Sequence, residues 1–416
     1  MATMIVSAGL QACSCASIMC CSGCGSHKHA RSLHVLILLL TAVAAAAFLS
    51  PAIGAQLERM AKFTGPITGC NATLCAQEWS RLGTHRVMSA SFLLSALMCV
   101  LMIGVKTLGD CRIGLHAGAW GFKIVLLMLF AVAAFWVPNV FYDVHWPVFV
   151  QTGSLLFSGA QAMILVRMAH SMAYRLDSAT ENGSALSRVA VLAITVGAGL
   201  ATVVGSAYLF KLHGPDEGPC VEHGGPPRWI VATINLVLVC AAVGLSVLSC
   251  VRKRLSYSGL LQASIISLQM TNLAWLSLRI DSTVDCEPTK AAIAGTIVGG
   301  LLLLATLWYS CTRMRTQTGF IMLQDDYDDS AWSRSDAGYS FDPKMTHLSY
   351  DASFFHLVVA LSAMRITTLL ADMVPSASLT VRETAYANWA QAASSWLTWV
   401  VYAWSLMVPT CTVDAV

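Results

Sequence analysis

Residues 124–137 read IVLLMLFAVAAFWV, an uninterrupted run of apolar side chains. Apolar and polar residues do not alternate in this run, so it does not fit a strand of a membrane β-barrel. A second uncharged run, Ala291–Tyr309, has about the 20 residues that a helix needs to cross a bilayer core roughly 30 Å thick. Because backbone groups find no water in that core, both runs predict transmembrane helices.

Composition extends this prediction to the whole chain. Of its 416 residues, 56% are hydrophobic and 11% are charged, whereas soluble domains carry about 25% charged residues. We therefore predict an all-α, polytopic membrane protein. It has about ten transmembrane helices, which we place at residues 32–54, 87–105, 118–138, 147–174, 188–210, 229–251, 259–280, 291–311, 353–374 and 388–409.

The predicted spans divide the chain into four regions. Residues 1–31 form a Cys-rich segment that we predict to be interfacial or re-entrant, and residues 32–311 hold spans one to eight. Residues 312–352 form an acidic cytoplasmic loop, for which a solvated linker and a regulatory segment both remain open. Residues 353–416 hold spans nine and ten and a short C-terminal tail.

Clustered cysteines near the N-terminus are candidates for lipid attachment. Cys20, Cys21 and Cys24 stand just before the first span, where cysteines are often acylated. His27 and His29 follow them, but no second tight pair completes a four-ligand metal site. We therefore expect lipidation or simple burial of these cysteines, and no metal.

The orientation of the chain follows from its loop charges. Ten spans place both termini on one side of the membrane. Loops on that side carry 13 Lys and Arg residues, and loops on the other side carry eight. Because cytoplasmic loops are the richer in Lys and Arg, we predict that both termini are cytoplasmic. An endomembrane and the plasma membrane both remain open as locations for this integral membrane protein.

Two features of the outer loops agree with this orientation. Asn71-Ala72-Thr73 is an N-glycosylation acceptor sequence, with Asn71 as the candidate site. Four cysteines also fall in outer loops, where disulfides persist. Their three possible pairings remain open, and the disulfide candidates are Cys70, Cys75, Cys220 and Cys286.

Polar side chains within the spans are the candidate functional residues. Ionisable groups are costly inside a bilayer, so they commonly mark a functional site. Amides in such helices often only hydrogen-bond neighbouring helices, and internal pairing is the alternative for the ionisable groups too. We select as candidates for a groove that receives lipid headgroups Lys123, Arg167, Gln262, Asn272, Arg365 and Asp372.

Several classes of function lack any signal. The chain has no HExxH, Walker, dinucleotide-binding or GxSxG motif, and we predict no catalytic residue and no cofactor. No basic cluster with interleaved aromatic residues is present, which excludes nucleic acid as a partner. His116, His170 and His356 are far apart in sequence and near span ends. We interpret them as isolated structural histidines.

Several short motifs together resemble the serine incorporator family. They occur in the family's order relative to the spans and cover nearly the whole chain. The motifs are Cys20-Cys21-Ser22-Gly23-Cys24, Val105-Lys106-Thr107, His116-Ala117-Gly118-Ala119-Trp120-Gly121-Phe122-Lys123, Ala169-His170-Ser171, Ser258-Gly259-Leu260-Leu261-Gln262, Phe354-Phe355-His356-Leu357 and Ser394-Ser395-Trp396.

The resemblance implies a fold and a function. The fold is ten transmembrane helices in two bundles, bridged by one long tilted helix at residues 147–180. The functions are serine incorporation into phosphatidylserine and sphingolipids and non-selective phospholipid scrambling. One departure from the family is Arg167, which stands where relatives have an acidic residue three positions before His170.

The leading hypothesis is therefore a lipid-handling membrane protein without enzymatic activity. Lys123, Arg167, Gln262 and Asn272 would meet the headgroups of membrane phospholipids, its expected partners. A secondary transporter of serine or another small polar solute is an alternative, which predicts an internal repeat with broken helices. A scaffold that recruits lipid-synthesis enzymes through the acidic loop is a third. A homo-oligomer also remains open.

Overall fold

The computed structural model describes residues 27–58, 72–105, 110–181, 185–213, 228–247, 259–279, 289–312, 351–371 and 381–411. These residues form helices and no strand. In chain order the helices are α1 (His27–Ala47), α2 (Pro51–Glu58), α3 (Ala72–Leu101), α4 (Cys111–Ala117), α5 (Trp120–Trp136), a π-helical turn (Phe141–His145), α6 (Trp146–Glu181), α7 (Ala185–His213), α8 (Arg228–Val247), α9 (Leu260–Arg279), α10 (Thr289–Thr312), α11 (Ala352–Ala371) and α12 (Val381–Cys411).

The all-α, polytopic membrane fold is confirmed. Each predicted span overlaps a helix of the described chain. Seven of the described helices are long and apolar enough to cross a membrane, and α5 is apolar but shorter. The total of ten spans stays a prediction.

The predicted outer loop at residues 55–86 is wrong in its second half. Helix α3 begins at Ala72 and has 30 residues. Hydropathy favoured a loop here because Glu78, Arg81 and Arg86 are charged. All three are nevertheless buried in the structure. An ion pair between Glu78 and Arg81 and hydrogen bonds from Arg86 offset the cost of burying their charges. Without Arg81 and Arg86 the outer loops hold six basic residues, and the cytoplasmic orientation of the termini remains a prediction.

The first predicted span also ends earlier than expected. Helix α1 stops at Ala47, and a new helix, α2, begins at Pro51. Proline is common at the first position of a helix because that residue needs no N–H donor there. The proline therefore divides predicted span 32–54 into two helices.

The described chain forms two compact units. Unit 1 contains the described residues of Met1–Val150, Leu307–Phe320 and Tyr327–Ser378. Its central helix is α3, which packs against α1, α2, α5 and α11. Unit 2 contains the described residues of Gln151–Thr306, Ile321–Asp326 and Leu379–Val416. Its central helix is α9, which packs against α7, α8 and α12.

Helix α6 is the longest helix described, with 36 residues. At 1.5 Å per residue it is about 54 Å long, well beyond a hydrocarbon core of roughly 30 Å. The division between the units falls between Val150 and Gln151, within this helix. Its length agrees with the predicted bridging helix, and its tilt in the membrane stays a prediction.

Several predicted features lie outside the described residues. They are Cys20, Cys21, Cys24, Cys70, Asn71, Cys220, Cys286, Asp372 and nearly all of the acidic loop 312–352. Cys75 is described and is disulfide-bonded. Because Cys99, Cys240 and Cys311 are free, its partner is none of these three. The pairing stays a prediction.

Candidate functional site

Unit 2 contains a cavity of about 460 Å³ between α7, α9 and α10. Ligand sites in proteins typically enclose about 300–1,000 Å³, so this volume suits a ligand. The lining is mostly apolar. It consists of Ala201, Val204, Gly205, Tyr208, Leu268, Thr271, Asn272, Trp275, Ala294, Gly295 and Val298.

The cavity opens on an apolar outer surface of unit 2. Ala201, Val204 and Ala294 line it and are also exposed. Further along α7 the exposed side chains include Leu192, Val196, Leu200 and Val203. In a membrane such a surface faces lipid tails.

Glycines on α7 and α10 allow these helices to approach α9. A Cβ atom on Gly295 would lie 2.6 Å from Trp275 Cδ1, and one on Gly205 would lie 3.1 Å from Thr271 Cγ2. Small residues commonly permit such close packing in membranes. The Trp275 ring also stacks on Tyr208, with 5.4 Å between their centroids. The aromatic wall of the cavity is therefore fixed in place.

Two residues that line the cavity carry N–H donors without a hydrogen-bond acceptor. Asn272 Nδ2 and Trp275 Nε1 are buried, and neither has a hydrogen-bond partner in the described chain. Leaving a buried donor unsatisfied costs about 1–3 kcal/mol. A ligand that brings an acceptor oxygen to an otherwise apolar cavity would remove that cost.

Behind the cavity, polar side chains of α9 connect it to its neighbours. Asn235 Nδ2 donates to Thr271 Oγ1 at 3.3 Å, and Ser395 Oγ donates to the Met270 carbonyl oxygen at 3.0 Å. These bonds join α9 to α8 and α12. A second chain runs from Gln269 Nε2 to Gln161 Oε1 at 3.0 Å. These amides and hydroxyls are satisfied within the protein, unlike Asn272 Nδ2.

Comparison with known proteins identifies the family. The model of the serine incorporator family matches residues 5–415. The chain belongs to the serine incorporator family. The resemblance seen in the sequence motifs is therefore confirmed.

Curated relatives match over almost their full lengths. A probable serine incorporator of Nematostella vectensis is 27% identical, over 94% of this chain and 92% of that protein. A probable serine incorporator of Monosiga brevicollis is 25% identical, over 97% of this chain and 95% of that protein. Serine incorporator 2 of Bos taurus is 26% identical, over 95% and 96%.

The five groove candidates that the structure describes are divided between the two units of this serine incorporator. Among them, Asn272 lines the cavity. Gln262 Nε2 lies 3.1 Å from His170 Nδ1, and Arg167 is half-buried on α6 and already has an interaction partner. Lys123 and Arg365 belong to unit 1.

Lys123 is held within unit 1 of the serine incorporator. Its side chain is 1% exposed, and its Nζ donates to the His116 carbonyl oxygen at 2.8 Å. Nζ also lies 3.3 Å from His34 Nε2 and 3.8 Å from the centroid of the Trp120 ring. These contacts occupy the ammonium group inside the protein.

The interpretation of His116 and His356 as isolated residues is wrong. His116 Nδ1 lies 2.9 Å from His356 Nε2, although the two residues are 240 positions apart in the sequence. Packing of α4 against α11 brings them together, and no local pattern reports that packing.

Sequence reasoning also missed two buried arginines on α3. Arg81 Nη2 bonds Asp143 Oδ1 at 2.8 Å and is ion-paired to Glu78 as well. Arg86 Nη2 donates to Asn139 Oδ1 at 2.7 Å. The spacing of three residues between Glu78 and Arg81 is the spacing of a helical ion pair. It was the signal that a helix starts before residue 87.

Proposed function

We propose that this serine incorporator moves phospholipids between the two leaflets of a membrane, using the cavity between α7, α9 and α10. The observation that supports this proposal is the pairing of apolar walls with two unpartnered N–H donors. Phospholipids have the same two parts, acyl chains and acceptor oxygens. The cavity also opens on the apolar surface from which a lipid would arrive.

Each part of the cavity matches a part of the lipid. Val204, Leu268 and Val298 offer apolar surface, and burying such surface contributes about 25 cal/mol for each Å². Asn272 Nδ2 is buried and unpartnered, and a turn of its side chain would present it to an ester or phosphate oxygen. A polar headgroup that crosses bare hydrocarbon loses its hydrogen bonds to water. Donors at the membrane interior replace some of those bonds and so lower the barrier to crossing.

The names of the relatives extend the proposal to serine-containing lipids. Relatives are called serine incorporators. We extend the proposed transfer to phosphatidylserine and sphingolipids, since removing each lipid from the leaflet where it is made would favour further incorporation of serine into that lipid. Enzymes of lipid synthesis are then the proposed protein partners.

Flipping by the purified full-length chain tests the proposal. The protein is reconstituted into liposomes that contain fluorescent phosphatidylcholine or fluorescent phosphatidylserine, and dithionite then quenches the outer leaflet. We expect both lipids to be quenched beyond the outer-leaflet fraction seen in protein-free vesicles. Quenching equal to protein-free vesicles for both lipids rejects the proposal. Movement of phosphatidylcholine alone rejects the extension to serine lipids.

Replacing Asn272 with leucine separates function from stability. The leucine removes a buried donor that has no partner, so the melting temperature should stay the same or rise. Flipping should slow several-fold, because the headgroup loses a donor. The matched control is Ser267→Ala, which also removes a buried unpartnered polar group of α9, a hydroxyl, but from a position outside the cavity lining. Equal flipping by the two variants would show that Asn272 does not meet the lipid.

A further inference from the structure

Three buried histidines of unit 1 converge on one point. His34 on α1, His116 on α4 and His356 on α11 each offer one ring nitrogen, and these nitrogens lie within 4.8 Å of one another. The side chains are 6%, 0% and 0% exposed. The three side chains therefore meet inside unit 1, away from solvent.

The rings are packed closely enough to act together. The centroids of His34 and His356 are 4.5 Å apart, and those of His34 and His116 are 5.3 Å apart and stacked. His356 Nδ1 is buried and has no hydrogen-bond partner among the described residues. The tautomer of His356 is therefore not fixed from its Nδ1 side, so Nε2 can be left unprotonated to bind an ion.

The chain around His116 is built to hold that residue in position. Asp110 caps α4 by accepting a hydrogen bond from Arg112 N at 2.9 Å. Arg112 Nη1 in turn donates to the carbonyl oxygens of Leu101 and Ile103. Burial opposes the ionisation of Asp110, but hydrogen bonds from Arg112 outweigh it and hold the pKa of Asp110 below its ordinary value. Helix α4 is thus anchored to the end of α3.

We propose that His34, His116 and His356 bind one transition-metal cation of the zinc or copper type. Neutral imidazole nitrogen is a good ligand for these metals, whereas Ca²⁺ and Mg²⁺ require oxygen ligands. Three histidines leave a fourth position of a tetrahedral ion open. Metal–nitrogen bonds are about 2.0–2.1 Å long, so small rotations of the three rings suffice to close the set around an ion.

Binding of the ion involves no oxidation or group transfer. Each imidazole donates a lone pair, and the hydrogen bond between His116 and His356 breaks. The ring that donates in that bond moves its proton to its other nitrogen, so both facing nitrogens become ligands. The ion would join α1, α4 and α11 and stabilise unit 1 through its binding free energy.

Lys123 competes with the ion for His34. Its Nζ lies 3.3 Å from His34 Nε2, within hydrogen-bond reach of the lone pair that the ion would use. Methionine at this position has a similar length and no N–H donor. Lys123→Met is therefore expected to raise the affinity for the metal several-fold while leaving all three ligands in place.

Metal retention by the full-length chain in detergent tests the site. The protein is stripped with a chelator, loaded with Zn²⁺ or Cu⁺, desalted and measured for metal content and melting temperature. We expect one ion per chain and a higher melting temperature for at least one of the two metals. We expect His356→Asn to weaken binding by more than the roughly 10–100-fold that loss of an outer-shell partner costs. His170→Asn is the matched control, since His170 lies in unit 2 and should leave binding unchanged.

Cobalt gives a second readout that does not depend on folding of a histidine variant. Co²⁺ bound to the wild-type chain should show the visible absorption of a tetrahedral ion, and Lys123→Met should show it at lower cobalt concentration. The proposal is overturned if the wild-type chain retains neither metal and shows no cobalt spectrum. It is also overturned if Lys123→Met binds more weakly than the wild-type chain, or if His170→Asn loses the ion and His356→Asn keeps it.

Discussion

Ala201→Phe should reduce phospholipid flipping to the level of protein-free vesicles. Ala201 lies on α7, lines the cavity and is exposed at its mouth. A phenyl ring there fills the space that a lipid would enter, and it also covers the route to Asn272. Because Ala201 is exposed, the ring does not need space in a packed core, and the melting temperature should change little. The dithionite assay measures the flipping rate.

Ala207→Phe is the matched control for this variant. Ala207 lies on the same helix and is exposed, but it does not line the cavity. At 100° per residue, the two positions point in directions about 120° apart. The two variants therefore add the same ring to the same apolar helix. If Ala201→Phe flips lipid as fast as Ala207→Phe, lipids do not pass through this cavity.

The transmembrane helices were predictable because their signal is local. The run Ile124–Val137 is apolar throughout, and its helix, α5, covers most of it. Helix α3 shows the limit of that signal. Its first half carries Glu78, Arg81 and Arg86, and an average over neighbouring residues cannot tell a buried ion pair from a polar loop.

The candidate site was predictable only in part. Asn272 was selected because it is a polar residue in a span, and it does line the cavity. Lys123 was selected by the same rule, yet it packs among histidines in unit 1. The rule finds polar groups in spans. It does not report which of them already have partners, because the partners come from helices distant in sequence.

The cavity itself has no signature in the sequence. It depends on the absence of side chains at Gly205 and Gly295 and on the position of the Trp275 ring beside them. Glycines are common in transmembrane helices, so their presence alone indicates no cavity. The three-histidine cluster is similar in this respect, since His34, His116 and His356 come from three separate helices.

Arg86→Met should strongly destabilise unit 1. Arg86 is 1% exposed and donates to the carbonyl oxygens of Ala134 and Val137 as well as to Asn139 Oδ1. Helix α5 ends at Trp136, and carbonyl groups at a helix end have no partner within the helix. Pro138 cannot continue the helix. Arg86 therefore satisfies the carbonyls at the end of α5, and its charge is favourable at that end of the helix dipole.

The size of the effect follows from the number of acceptors left unpaired. Methionine fills similar space and donates no hydrogen bond, so each abandoned acceptor costs about 1–3 kcal/mol. The melting temperature in detergent should fall, and amide exchange of a peptide that spans 130–145 should speed up. The melting temperature of Arg86→Lys should lie between those of Arg86→Met and the wild type, because an ammonium keeps the charge but not the planar fork of donors.

Arg188→Met is the control, since Arg188 is exposed on α7. Equal melting temperatures for Arg86→Met and Arg188→Met would mean that the end of α5 is held by other contacts. A loss confined to Arg86→Met, with faster exchange at 130–145, would assign that role to the arginine.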